Sequence, residues 1–343
     1  MSEKLVTTYT MWNLFRNCRK AAQWRYVLDL APIERDEHLS FGGLIHDCLE
    51  AWHGTGNIEH ALSLIDAACP NRLGDEEQRK TWHLATAMMR GYAERYATED
   101  FEVLALEKEF QGEIVNPETG VASRSFVLAG KVDGIVRRGD EYFLLEHKTA
   151  AAVDASYLER LWTDFQITLY AYYLEKSLGI RISGVLYNIL VKARLQQSAG
   201  ETEVEFEERY AQAVAKSKTG KTSIKRRVPE SDDEFAARLL AKYQEPDMFH
   251  RELLYISKEQ FATLQAELWE LTQAYLDARR RDVWYQNTSY CFQYGRPCPY
   301  FALCRSGGSE NVLANFYEKR PAHEELGKQS SKSLSPLART ETF

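Results

Sequence analysis

Long apolar runs are missing from this sequence. No stretch of about 18 uncharged apolar residues occurs, which excludes an ordinary membrane-spanning helix. The first residues, MSEKLVTTYTMWNLF, hold no apolar core followed by small residues. No secretion is therefore expected, and the expected location is cytoplasmic. Cysteine is scarce, with six in 343 residues. That excludes a disulfide-dense scaffold; in a reducing compartment thiols are more often buried or metal-bound than bridged. An excess of positive charge is missing too, since 50 Asp and Glu face 43 Lys and Arg, a formal net charge of −7. That balance governs solubility and long-range field rather than any one groove, so it does not exclude a nucleic acid partner. No internal repeat is present.

What is there describes a globular chain. Hydrophobic residues make up 44% and aromatics 12%, which excludes disorder. Helical spacing predicts helices over 8–28, from about Ser40 through Trp52, over 58–69 and over 75–97. The pattern then turns strand-like over 101–115, 126–138 and 141–149, the last two joined as a hairpin by Gly139-Asp140. A helix over 153–178 and a buried strand over 184–193 follow. Beyond 201 come a charged helix, a basic loop (216–227), a helix over 231–243, a strand over 248–257 and a long helix over 258–281. Ser257 and Gln260 have capping-box spacing at the start of that last helix. The polar tail after about 321 is expected to fray. The expected division is an N-terminal helical part (1–98), a core (99–200), an extension (201–310) and a C-terminal segment (311–343).

The chemically suggestive segment is GKVDGIVRRGDEYFLLEHKTA. Asp133 and Glu146 stand near facing ends of a predicted hairpin. Two carboxylates meeting there suit a hard divalent ion such as Mg²⁺. Glu146 and Lys148 are two apart, so on a strand they share a face. Lys148 can then hold an attacking water or neutralise a phosphoryl oxygen, and the His147 backbone carbonyl is a further candidate ligand. An ordinary charged hairpin face fits the same string. His46, Gln166 and Tyr170, taken singly, also suit ordinary core or helix positions.

The ordered set says more. Asp133, twelve intervening residues and then Glu146-x-Lys148 resembles the PD-(D/E)XK nuclease signature. Upstream, Gly42-Gly43-Leu44-Ile45-His46 resembles the histidine motif of RecB-like nucleases. Downstream, Gln166-Ile-Thr-Leu-Tyr170 resembles their Gln-x-x-x-Tyr helix motif, whose spacing puts both side chains on one helical face. The resemblance implies an α/β, restriction-endonuclease-like fold with a mixed central sheet flanked by helices. It implies metal-dependent hydrolysis of DNA, with an exonuclease expected ahead of an endonuclease; recombination or repair, CRISPR adaptation and phage DNA processing all stay open as pathways. His46, Asp133, Glu146 and the His147 carbonyl would hold Mg²⁺ or Mn²⁺. Lys148, Gln166 and Tyr170 would act beside them.

Cys291, Cys298 and Cys304 fall within 14 positions in a loop carrying Gly295, Pro297 and Pro299. AddB and the CRISPR-associated exonucleases carry an iron–sulfur staple with one cysteine before the nuclease motifs and three after. The resemblance implies the same for Cys18, Cys291, Cys298 and Cys304, giving a 4Fe–4S cluster that joins the N- and C-terminal helical parts. The six residues between Cys291 and Cys298 depart from the family's usual Cys-x-x-Cys start. They also disfavour zinc, which prefers short loops. Cys48 and Cys69 read as core residues.

The basic loop holds Lys216, Lys218, Lys221, Lys225, Arg226 and Arg227, which would contact DNA phosphates without reading sequence; a solvated charge run fits equally. Its Gly-Lys-Thr-Ser is no P-loop, because position 215 is Ala where a glycine is required. Arg16, Arg19, Lys20 and Arg25 form a second basic stripe. Two other readings stand beside the nuclease: an inactive DNA-binding or assembly subunit that retains the fold, and a zinc-stabilised interaction protein.

Overall fold

The computed structural model describes residues 4–33, 37–293, 295–323 and 326. In chain order its first elements are β1 (Leu5–Thr7), α1 (Tyr9–Asn17), α2 (Arg19–Ala22), β2 (Leu30–Pro32), α3 (Glu37–Thr55), α4 (Ile58–Ala68) and α5 (Glu76–Arg95). Then come β3 (Glu102–Val115), β4 (Ala122–Arg138), β5 (Glu141–Ala150), α6 (Ala155–Leu161), α7 (Phe165–Leu178) and β6 (Ile182–Val191). The remainder is α8 (Glu203–Lys216), α9 (Asp232–Tyr243), β7 (Phe249–Tyr255), α10 (Lys258–Arg281), β8 (Phe292–Gln293), β9 (Arg296–Pro297), α11 (Phe301–Arg305), α12 (Glu310–Phe316) and β10 (Tyr317–Lys319). Among the described residues no helix is long and apolar enough to cross a membrane.

The central sheet is mixed, as expected. Its order is β1-β4-β5-β6-β7, with β3 added to β4. Pairs β1–β4 and β5–β6 are parallel, whereas β3–β4, β4–β5 and β6–β7 are antiparallel. Strand β4 is the axis. One edge pairs with β3 along most of its length. On the other edge β1 pairs at Phe126–Leu128 and β5 at Gly134–Arg138. Residues 129–133 of that edge lie between the two partners. Beyond Leu145, β5 leaves β4 and continues beside β6 as far as Ala150–Val191. Gly139, at φ 61°, makes the hairpin turn that a side chain would strain.

Alternation along β5 sorts its side chains. Leu144 joins the larger core with α7 and α10, while Phe143 and Leu145 pack on the opposite face. The same alternation puts Glu146 and Lys148 on one face and His147 on the other. Helix α1 is seated by aromatic packing. Trp12 lies 5.8 Å from both Phe126 and Tyr275, and Phe15 lies 5.2 Å from Tyr275. At about 0.5–1.5 kcal/mol each beyond burial, these contacts outweigh the exposed Arg16–Glu267 pair at 3.8 Å, worth at most about 1 kcal/mol.

Two expected helices are each divided. The one over 8–28 breaks at Cys18, whose backbone is extended (φ −155°, ψ 108°), and resumes as α2 and a π-helical turn over Gln23–Val27. The one over 153–178 stops at Leu161 and restarts at Phe165, because Asp164 caps the new helix by accepting from the Gln166 N–H. Strand β1 and the antiparallel β2–β10 pair were not expected; the latter ties residues 30–32 to 317–319. The tail beyond 326 lies outside the described residues.

Helix α7 lies low on the sheet where β3 and β4 lack side chains. A Cβ at Gly112 would meet the Tyr173 ring at 2.4 Å, and one at Gly130 would meet Phe110 at 2.6 Å and Tyr170 at 3.1 Å. Gly112→Ala should therefore cost about 1–3 kcal/mol through overpacking, read as a lower urea midpoint. An unchanged midpoint would contradict this seating.

Candidate active site

The split between β4 and β5 is where the acidic pair sits. Just past the last β4–β5 pair, the Asp133 carboxylate takes the place of a strand partner. Its Oδ2 accepts from the His147 N–H at 2.7 Å. Its Oδ1 lies 3.3 Å from His46 Nδ1 on α3. A strand residue's N–H and C=O face the same edge, so the His147 carbonyl is turned to the same gap. On the other face of β5, Lys148 Nζ donates to Glu146 Oε1 at 2.5 Å. Gln166 closes the triangle: its Nε2 donates to Glu146 Oε1 and its Oε1 accepts from Lys148, both at 3.4 Å. His46, Asp133, Glu146, Lys148 and Gln166 are thus brought together. Tyr170, one turn beyond Gln166, is buried in a ring cluster, 5.2 Å from Phe110 and 6.3 Å from Tyr9.

The electrostatics follow from burial. Glu146 is 4% exposed. Desolvation raises its pKa; Lys148 pulls the other way and Asp133 adds to the rise. Burial also works against Asp133, but the hydrogen bond and charge of His46 and the His147 N–H hold its pKa down. Burial disfavours charge on His46 and Lys148 as well, yet Asp133 and Glu146 respectively keep both pKa values up. Two carboxylates forced together in a dry place fit a divalent cation, which offsets both the repulsion and the lost hydration. Among the described residues no group of three or more His, Cys, Asp or Glu side chains is placed where it could hold a metal ion. Asp133 is held by His46 and the His147 N–H, and Glu146 by Lys148 and Gln166.

Sequence reading missed several neighbours. Tyr9, at the start of α1, is pushed up to about 12 by burial and by Asp164, with Glu146 and Lys148 also acting on it. Asp164 accepts from the Tyr187 hydroxyl at 2.8 Å as well as capping α7, so β6 fixes where Gln166 begins. Asp-x-Gln at a helix start was a readable cap signal; Tyr9 carried none. Lys131 pairs with Glu107. Glu107 lies between the pairs Leu106–Gly134 and Lys108–Val132, across from Asp133, with a left-handed φ of 47°.

The four expected cysteines do meet. Cys18, Cys291, Cys298 and Cys304 line one pocket with Ala21, Asn287 and Phe301. The loop is shaped for it: Cys298 N donates to Cys291 O at 2.7 Å, and Asn287 Nδ2 reaches back to Asn17 O at 2.8 Å. All are free thiols. Burial, then the neighbouring thiols, raises the pKa of Cys298. The β2–β10 ladder and the Tyr300 hydroxyl on Leu30 O at 2.9 Å are among the contacts that join the N-terminal and C-terminal segments.

The six basic loop residues are exposed. The loop folds back on α8, through Arg226–Glu203 at 2.9 Å and Arg209 donating to Lys225 O at 2.7 Å, and the Ala199–Pro229 bridge closes the base of the 199–229 arm. Within the N-terminal stripe, Arg25 donates to Arg320 O and Pro321 O. Arg19 stacks on Phe15 and Tyr285, and Lys20 on Trp24.

The site thus lies at the split of a mixed sheet, with Asp133 on one strand and Glu146 and Lys148 on the next. The chain belongs to the PD-(D/E)XK nuclease superfamily, whose family model matches residues 7–305. Members generally use a divalent metal such as Mg²⁺, and membership implies a nucleic acid substrate. Comparison with the curated proteins gives no match.

Burial, with Arg251 adding, lowers the pKa of His53 on α3 from 6.5 to about 4. The unfolded chain then takes up its proton first. Stability should therefore fall as pH drops from about 6.5 to about 4 and be unaffected by His53 above that window. Melting curves should show a shallower decline for His53→Gln; an identical slope would contradict the buried neutral state.

Proposed function

We propose that this chain is a RecB-like, Mg²⁺- or Mn²⁺-dependent deoxyribonuclease that acts as an exonuclease on DNA ends. One observation carries the reading: Asp133 and Glu146 converge at the strand split with Lys148 held against Glu146. His46, Asp133, Glu146 and the His147 carbonyl would hold the metal. When bound, the ion supplies Lewis-acid stabilisation of the phosphoryl oxygens and a more acidic water. Lys148 Nζ, already desolvated and charged, would orient the attacking water and meet negative charge as it develops on the phosphoryl group. Gln166 holds the Lys148–Glu146 geometry. Tyr170 keeps α7 in register through its ring contacts. An inactive binding subunit has no physical need for Asp133, Glu146 and Lys148 together.

Residues 199–229 form an arm between β6 and α9, and α8 within it buries no residue. Lys216, Lys218, Lys221, Lys225, Arg226 and Arg227 would contact DNA phosphates there. Cys18, Cys291, Cys298 and Cys304 would hold a structural 4Fe–4S cluster, reinforcing the ends that β2 and β10 already pair.

Asp133→Ala and Lys148→Ala should each lower Mn²⁺-dependent cleavage of end-labelled linear DNA at least about a hundredfold with an unchanged circular dichroism spectrum, while circular DNA resists the wild type. Full activity in both variants would sink the assignment. Anaerobically purified protein should be brown with broad absorbance near about 400 nm, and Cys298→Ser should bleach it. Stoichiometric zinc on the four sulfurs would instead refute the cluster.

A further inference from the structure

Behind the acidic pair lies a buried polar row that the cleavage reading does not use. Strand register sets His147, Asn188 and Arg251 side by side on β5, β6 and β7. Asn188 is fully buried and His147 is 3% exposed. Asn188 Nδ2 lies 2.9 Å from His147 Nδ1 and 2.9 Å from the Tyr92 hydroxyl on α5. That hydroxyl also accepts from Arg251 at 3.0 Å and lies 3.0 Å from His53 Nε2. Arg251 is itself clamped by Glu99.

The proton arrangement follows from taking Asn188 Nδ2 as donor to both its neighbours; His147 Nε2 and Asn188 Oδ1 are then buried with no partner among the described residues. With Asn188 and Arg251 filling both lone pairs of the Tyr92 oxygen, its one proton goes to His53 Nε2. With Asn188 donating to Nδ1, the proton of neutral His147 sits on Nε2. The His147 ring stacks on His53 (5.4 Å, 12°) and meets His46 edge to face at 5.9 Å. His46 and His53 stand two turns apart on α3, so His147 is wedged between them. The same residue's N–H holds Asp133.

Resting on the nuclease reading, we infer that Tyr92 and Asn188 are positioning residues for the metal pair. They lock the His147 ring, and through it both the backbone amide that aims Asp133 and the α3 register that aims His46. Supporting partners of ligating groups typically tune metal affinity about 10–100-fold when lost. Arg251 in the row argues against the row itself being a second cation site, because its charge repels one.

The test is direct Mn²⁺ binding by electron paramagnetic resonance on the full chain, alongside the metal dependence of cleavage. Tyr92→Phe and Asn188→Ala should weaken Mn²⁺ binding and raise half-saturation for cleavage about 10–100-fold, with KM for DNA unchanged. Ser257→Ala, which loses a remote helix cap worth about 1 kcal/mol, is the stability control and should keep wild-type Mn²⁺ affinity. Lower melting temperatures with unchanged Mn²⁺ affinity in both variants would overturn the positioning role alone. A wild type that neither binds Mn²⁺ nor cleaves DNA would overturn the nuclease reading and this inference with it.

Discussion

The N–H of His147 would pair with β4 if the β4–β5 ladder continued. It is taken instead by the Asp133 carboxylate at 2.7 Å. The rest of the site depends on that substitution. A buried amide must be satisfied, so the ladder can end at Leu145 only because a side chain replaces the missing strand. Once it ends, β5 continues beside β6 alone, and Asp133 and Glu146 stand beside the gap next to β4. The parallel β1 stops at Leu128 and leaves the gap open.

Charge is arranged around that gap in matched pairs: Glu107 with Lys131, Asp133 with His46, Glu146 with Lys148. Removing one member of such a buried pair leaves an uncompensated charge, which costs far more than the pair contributes. The buried row from His147 to Glu99 backs the arrangement from the other face of the sheet, and Asp164 with Tyr187 anchors the helix that supplies Gln166.

Residues 30–32 and 317–319 pair as β2 and β10. Cys18 lies at the break between α1 and α2, and the aromatic packing of Trp12 and Phe15 fixes that break against Tyr275 of α10. The cysteine pocket is therefore tied mechanically to the helix that carries Tyr9 to the site. The β2–β10 ladder and the Tyr300 contact hold the ends even where the thiols are free.

Much of this was legible in the chain itself. Alternation defined β4 and β5, Gly139-Asp140 the hairpin, and the ordered string His46, Asp133, Glu146, Lys148, Gln166 a set of residues that the fold brings together. These signals are local: period, turn chemistry and spacing. The breaks at Cys18 and at 162–164 were not legible, because helical propensity continues through both and only tertiary contacts stop it. Strand β1 is three residues long, too short for a period. Tyr9, Asn188 and Arg251 read as ordinary residues; distant partners give them their places. The sequence by itself determined which groups could do chemistry, since carboxylate, lysine and thiol identities are covalent facts. Tertiary structure alone decided which of them meet, because the end of a ladder and the register of three strands are properties of packing that no segment contains.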